Sequence, residues 1–219
     1  MTDRERALSD EGDLREDELR PDYQFIVNTV REGSRVLDLG CGEGTLLKML
    51  IDRKGVRGTG IEIVEERVYE AVEKGLTVHH GDFYEGLAYY PDGSFDYVIL
   101  SQTLQQAADI MLVITESLRV GRYLVASFPN FAHWKSRLDL LVTGRAPVTG
   151  SLPYSWYDTP NVHWLSIEDF RLFAREHGIR IVDHFFMGPK GPVRWWPNLR
   201  AAYGVFVVEK AGDGGSVGA

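Results

Sequence analysis

Val36-Leu37-Asp38-Leu39-Gly40-Cys41-Gly42-Glu43-Gly44-Thr45 is the stretch on which the fold turns. Residues 35–39 form a short apolar run that reads as a strand, and Leu46, Leu47, Leu50 and Ile51 then recur at helical spacing. The glycines between them let the backbone turn tightly and come close to a ligand. Amides of the first helical turn have no partner inside the helix, so they are free to meet polar ligand groups. A glycine loop alone is a weak signal. Its context strengthens it: a strand before, a helix after, and an acidic residue, Glu62, at the end of the next strand.

Outward from the loop, strands and helices alternate. Residues 58–63 read as a second strand, and Val64, Val68, Ala71 and Val72 follow on one helix face. Residues 76–80 are a third strand, and 95–100 form an almost continuous apolar run, the pattern of a strand covered on both faces. Residues 104–120 read as a helix stopping at Gly121, and 123–128 as a strand ended by Pro129. This rhythm predicts a doubly wound, Rossmann-like parallel α/β sheet. It breaks at 131–165, a stretch rich in Pro, Gly and aromatics that reads as an ordered lid insertion. Ser166 with Asp169 three residues on predicts a helix start, and that helix ends near His177 and Gly178. Late strands are expected over 180–187 and 202–209, with a loop between them through Pro192 and 195–197.

The 219 residues suit one domain, set at 19–210, and a 44% hydrophobic content fills its core. Segment 1–18 is charged and lacks an apolar stretch; it is expected to be partly disordered and not a secretory signal, and 211–219 reads as a flexible tail. No apolar run approaches the ~20 residues of a membrane helix. A formal net charge of −8 offers no positive face for nucleic acid. Cys41 is the single cysteine, which rules out an internal disulfide and suits a reducing cytoplasm. No group of His, Cys and carboxylates has metal-ligand spacing, so no metal is expected.

The ligand is read residue by residue. Glu62 is placed to accept hydrogen bonds from ribose hydroxyls, its alternative being a surface carboxylate. Thr45 stands where the dinucleotide fingerprint wants its third glycine, and the Gly-Lys-Ser/Thr of a P-loop is missing. Asp38 would repel a pyrophosphate but attract the ammonium of a methionine moiety; its alternative is to anchor the loop's own amides. Asp82 and Phe83 follow the third strand, either beside an adenine or as a simple Asp-capped turn. Ser101 closes the fourth strand at the crevice where such sheets bind ligands. Cys41 reads as a small loop filler or as a thiol activated by the helix N-terminus.

These residues resemble the class I methyltransferases over about 35–128: the loop with Gly40, Gly42 and Gly44, then Glu62, Gly81-Asp82-Phe83, and Phe95-Asp96-Tyr97-Val98-Ile99-Leu100. Over about 19–187 the chain resembles the MetW family of methionine biosynthesis. The telling stretches are 92–105, Ser127-Phe128-Pro129-Asn130-Phe131, Ser151-Leu152-Pro153-Tyr154 and 157–163. The resemblance implies a seven-stranded sheet with an antiparallel last strand, S-adenosylmethionine as cofactor, and a role in methionine biosynthesis alongside homoserine O-acyltransferase. Residues 104–118 and those after Met187 fit the family pattern less clearly.

Methyl transfer from a sulfonium needs positioning and desolvation more than a catalytic constellation. Candidates for the substrate or lid side are Asn130, Tyr154, Trp156, Tyr157, Asp158 and His163. The aromatics read as a water-excluding wall. His163 is the one candidate base, against a structural reading in which it bonds backbone. Two functions stand: a regulatory S-adenosylmethionine-binding partner of homoserine O-acyltransferase, and an independent methyltransferase on a small-molecule acceptor. Ser101-Gln102-Thr103-Leu104 stands where a base-directed enzyme would place Asn-Pro-Pro-Tyr. Glycine spacing and Asp38 speak against a nicotinamide oxidoreductase.

Overall fold

The computed structural model describes residues 20 and 22–211. The expectations for 1–18 and for nearly all of the tail lie outside the described residues. The strands are β1 (Arg35–Leu39), β2 (Arg57–Glu62), β3 (Val78–His80), β4 (Phe95–Ser101), β5 (Gly121–Pro129), β6 (Ile179–Gly188), β7 (Gly191–Pro192) and β8 (Tyr203–Lys210). The helices are α1 (Tyr23–Thr29), α2 (Thr45–Lys54), α3 (Glu65–Glu73), α4 (Phe83–Ala88), α5 (Ile110–Val120), α6 (Trp134–Thr143), α7 (Ile167–Glu176) and α8 (Pro197–Arg200).

One eight-stranded sheet runs β3-β2-β1-β4-β5-β8-β6-β7. Its β1 to β5 pairs are parallel, and β8 runs antiparallel to both β5 and β6. The short β7 only extends β6 by a turn, pairing through Met187 and Gly188. Without it the sheet is the expected seven-stranded one, its last strand in the chain, β8, running antiparallel between β5 and β6.

Alternation along each strand divides the core between two faces. Leu37, Leu39, Val98, Leu100, Leu124 and Ala126 bury against Val113 and Ile114 of α5 and Phe170 of α7. Val36, Tyr97, Ile99 and Val125 bury on the other face with Ile26 and Val27 of α1 and Leu46 and Leu50 of α2. Helix α7 starts on a full capping box, Ser166 and Asp169 each bonding the other's backbone amide. Such a cap stabilises by roughly 0.5–2 kcal/mol.

Two local readings change. The helix expected over 104–120 is a 3-10 turn at Leu104–Gln106, then an extended Ala107, then α5. Asp109 causes the restart: its side chain accepts from the Leu112 amide at 2.9 Å, an N-cap bond that competes with continuous helix. The lid segment contains α6, ended by Gly144 at φ +66°. Helix α6 buries only Ser136, and Trp134, Leu138, Leu141 and Val142, which recur at helical spacing, stay exposed on it. Among the described residues no helix is long and apolar enough to cross a membrane.

Candidate functional site

A cleft of about 510 Å³ opens where β1, β2 and β4 end. The loop residues Gly40, Cys41, Gly42 and Glu43 line it, with Asp38, Glu62, Asp82, Phe83 and Ser101. Topology thus gathers the predicted cofactor residues in one place, apart from Gly44. That glycine instead packs inward: a Cβ on it would stand 2.2 Å from Leu76 Cδ1, and its φ is +79°. Gly42, at φ +58°, has nothing within 4 Å of the corresponding point. The loop is open to the cleft there, as close backbone approach requires.

The anchoring of the loop's amides, weighed for Asp38 in the sequence, falls to Glu62. Glu62, only 4% exposed, is the residue that ties the loop down. Its Oε2 accepts from the Gly42 amide at 2.8 Å, and its Oε1 from the Ile63 and Val64 amides at 3.0 and 2.9 Å. Each carboxylate oxygen has two lone pairs, so Oε2 retains one for a further donor. Asp38 is 1% exposed, and its Oδ2 has no hydrogen-bond partner among the described residues. Burial pushes the Asp38 carboxyl up to about 7; the Asp22 and Glu62 charges add to this and Arg20 opposes it. A buried acceptor without a partner is expensive, and at a ligand cleft it marks where a donor belongs.

The remaining loop residues are accounted for by packing. Burial first, then the charges of Asp38 and Glu62, push the Cys41 thiol far above its ordinary range. These surroundings disfavour the thiolate, and Cys41 fills space against Gly60, where a Cβ would lie 2.5 Å from Sγ. Asp82 caps α4 through a 2.8 Å bond from the Tyr84 amide. Phe83 packs against the core beside Tyr84 and still lines the cleft.

Segment 20–23 supplies residues that sequence reasoning missed. Arg20 and Tyr23 line the cleft. Asp22, 1% exposed, accepts bonds from Arg20, Ser101 and Ser127, tying the start of α1 to the ends of β4 and β5. The Ser101 hydroxyl is thereby engaged, donating to Asp22 at 2.7 Å and accepting from Arg20 Nη2 at 2.8 Å. Only Asp22 ahead of apolar Ile26, Val27 and Val30 signalled a helix start in the sequence; the tie to Ser101 spans 79 residues. Gln102 also lines the cleft, at φ +55°, a left-handed conformation costly for a residue with a side chain.

The lid candidates are not brought to the cleft. Asn130, a candidate for the substrate or lid side, is instead fully buried: Nδ2 donates to the Asn198 and Ala201 carbonyls, and Oδ1 accepts from the Ala132 and Ile167 amides. That amide clasps three chain segments together. Tyr154, Trp156 and Tyr157 are 49%, 72% and 75% exposed, so they form no water-excluding wall over the cleft. Asp158 is exposed and His163 half-buried, and neither lines the cleft. The His163 amide donates to the Gln105 carbonyl at 3.0 Å, while its Nε2 is buried without a partner. Among the described residues there is no cluster of His, Cys, Asp and Glu able to hold a metal.

Strand order, antiparallel β8 and the glycine-loop cleft at the β1 end define a methyltransferase-type Rossmann fold. Solved structures agree. A SAM-dependent methyltransferase from Archaeoglobus fulgidus matches with a TM-score of 0.61 at 16% identity, covering 86% of this chain and 91% of that one. The [4+2]-cyclase SpnF matches with a TM-score of 0.61 at 19% identity, covering 86% and 80%. At such identities the likeness shows the fold, and fold alone does not fix chemistry. The chain belongs to the MetW family: the model of the methionine biosynthesis protein MetW matches residues 20–208. The bifunctional methionine biosynthesis protein MetXA/MetW of Rhodopirellula baltica is 37% identical over 177 residues, 77% of this chain and 28% of that relative. The demethylmenaquinone methyltransferase of Listeria welshimeri is 32% identical over 148 residues, 58% of this chain and 62% of that enzyme. The chain thus spans less than two thirds of the length of either relative.

Proposed function

We propose that this MetW-family protein binds S-adenosylmethionine in the cleft and acts in methionine biosynthesis as a partner of homoserine O-acyltransferase. The observation that carries the cofactor reading is Asp38, a buried carboxylate with an unpartnered oxygen beside a glycine loop. The residues fit the group. Asp38 suits the ammonium, Glu62 keeps lone-pair capacity for a ribose hydroxyl, Gly42 leaves room for backbone approach, and Phe83 offers an apolar face. Bound there, the cofactor supplies a methyl group on a sulfonium, open to in-line displacement. The partner reading is supported by the name of the Rhodopirellula relative, which joins MetXA and MetW. It is also supported by the lid aromatics, whose exposure suits an interface better than a catalytic enclosure. Regulation of the acyltransferase requires that its affinity for this chain differ between the cofactor-bound and empty states.

An independent methyltransferase acting on a small acceptor is the second reading, favoured by the Listeria relative. Titration of S-adenosylmethionine into the chain, with and without homoserine O-acyltransferase, separates the two. Cofactor affinity that changes with the partner supports regulation; affinity indifferent to it supports the independent enzyme.

A further inference from the structure

Helix α6 is built the wrong way round for a helix on the surface of a lone chain. At about 100° per residue, Trp134, Leu141 and Val142 fall within about 60° of Leu138 around the axis, and Ser136 lies about 160° from it. The apolar stripe is the outer face: all four of its residues are exposed, Leu141 at 83%. The side toward the body is polar, with Ser136 and the N-cap residue His133 both buried. A surface helix ordinarily turns its apolar stripe to the core, and an exposed stripe marks an interaction surface. The start of α6 is held in this orientation. The His133 amide donates to the Asn130 carbonyl at 3.2 Å, and Arg137 Nε donates to the Ala132 carbonyl at 2.6 Å.

The flank of the stripe says what covers it. Lys135 and Asp139 stand four residues apart, so they share one flank. Among the described residues neither is in an ion pair; the Lys135 ammonium lies 5.8 Å from the Trp134 ring centre. A two-fold axis perpendicular to the helix brings the same helix of a second copy alongside in antiparallel. In such a contact residue i meets residue j and j meets i. Leu138 then meets its own copy, Trp134 meets Leu141, and on the flank Lys135 meets Asp139 twice over. All of these pairings share one centre, at Arg137 to Leu138. The apolar stripe and the charges beside it are thus complementary to themselves.

We infer that α6 is the contact helix of a homodimer, pairing antiparallel with the α6 of a second copy. None of the stripe or flank residues lines the cleft, so each copy keeps its own site. A single helix of 10 residues covers less than the roughly 800 Å² per partner of a standard interface, so the dimer is weak and depends on concentration.

The test is sedimentation velocity of the full chain from about 5 to 500 µM, a range suited to so small an interface. The wild type is expected to pass from monomer to dimer. Leu138→Glu sets two carboxylates at the axis and is expected to weaken association by at least about tenfold. A wild-type circular dichroism melt shows that this variant, changed on the surface, is folded. Lys135→Glu and Asp139→Lys each give the flank a single sign, so each alone is expected to associate more weakly than the wild type. Mixed, the two are expected to form a one-to-one heterodimer, because the facing flanks then carry opposite signs. Pairing of Lys135 with Asp139 inside one helix predicts no such recovery. A wild type that stays monomeric throughout, a dimer that Leu138→Glu leaves intact, or charge variants that do not recover on mixing overturns the inference. A monomeric wild type that binds homoserine O-acyltransferase and loses it in Leu138→Glu gives the stripe to that enzyme, and likewise overturns self-pairing.

Discussion

The Glu62 carboxylate and the Gly42 amide are 20 residues apart in the chain and joined by a 2.8 Å hydrogen bond. Through it the end of β2 holds the glycine loop that follows β1 in its open shape. Two further amides, of Ile63 and Val64, depend on the same carboxylate. Glu62→Ala is accordingly expected to have two effects. S-adenosylmethionine binding weakens by on the order of 1.5–3 kcal/mol, and the melting temperature falls, because buried amides lose their acceptor. Glu62→Gln keeps one acceptor oxygen and should be milder in both. Calorimetry and thermal melts read the two effects separately; a variant with wild-type values in both would remove Glu62 from loop and site alike.

Asp38 links stability to pH in the opposite sense from a salt-bridged carboxylate. Its folded value, about 7, lies above the ordinary 3.8, so the folded chain favours the neutral form. Stability from this group is complete below about pH 4 and is lost as pH rises through 7. Burial keeps the shift upward; of the charges facing it, Arg20 opposes the shift, and Asp22 and Glu62 add to it. Asp38→Asn should therefore match the wild type in melting temperature near pH 4 and exceed it at pH 8. An advantage that shrinks as pH rises would contradict the assignment.

The same residue makes ligand binding pH-dependent. An ammonium favours ionised Asp38, so S-adenosylmethionine affinity should rise between about pH 6 and 7, below the range where the ligand's own α-amino group loses its proton, with proton release on binding, whereas methylthioadenosine affinity stays flat. Titrations in buffers of different ionisation enthalpy count the released protons; a flat S-adenosylmethionine profile would separate the ammonium from Asp38.

Much of this was legible in the sequence because it is local or periodic. The loop with its flanking strand and helix, the capping box at Ser166 and the alternation that builds the sheet all lie within short windows. Glu62 was found by its spacing from the loop. Its bonds were not, since nothing local says whether a carboxylate faces ligand or backbone. Asp22 was missed because its partners Ser101 and Ser127 are 79 and 105 residues away, and Arg20 because its partner Ser101 is 81 residues away. Asn130 was a candidate for the substrate or lid side, but its amide turns inward to bond carbonyls of α8 and Ala201. The sequence shows where a strand ends, and only the packed chain shows which way the next side chain points.

Gly60 and Cys41 should behave as a coupled pair. Gly60→Ala places a methyl 2.5 Å from Cys41 Sγ and is expected to destabilise by about 1–3 kcal/mol, the usual range for overpacking. Removing the sulfur with Cys41→Ala should recover part of that loss, leaving the residual 3.1 Å contact with the Cys41 Cβ. A double-mutant cycle by urea unfolding measures the coupling; strictly additive effects would mean that the loop relaxes.

Asn130→Ala should act on the fold alone. Two buried carbonyls lose donors and two amides lose an acceptor. An expected loss on the order of 2–3 kcal/mol corresponds to a melting temperature lower by roughly 4–12 °C. Cofactor affinity of the folded variant is expected to be unchanged. A large affinity loss with wild-type stability would return Asn130 to the binding site.

The central claim is that the cleft beside Gly42 and Asp38 binds S-adenosylmethionine, and calorimetric titration of the wild type and of Gly42→Val tests it most directly. The account predicts one site per wild-type chain and no measurable binding to a folded Gly42→Val. Absence of binding to the wild type, or the same affinity in both proteins, would contradict it.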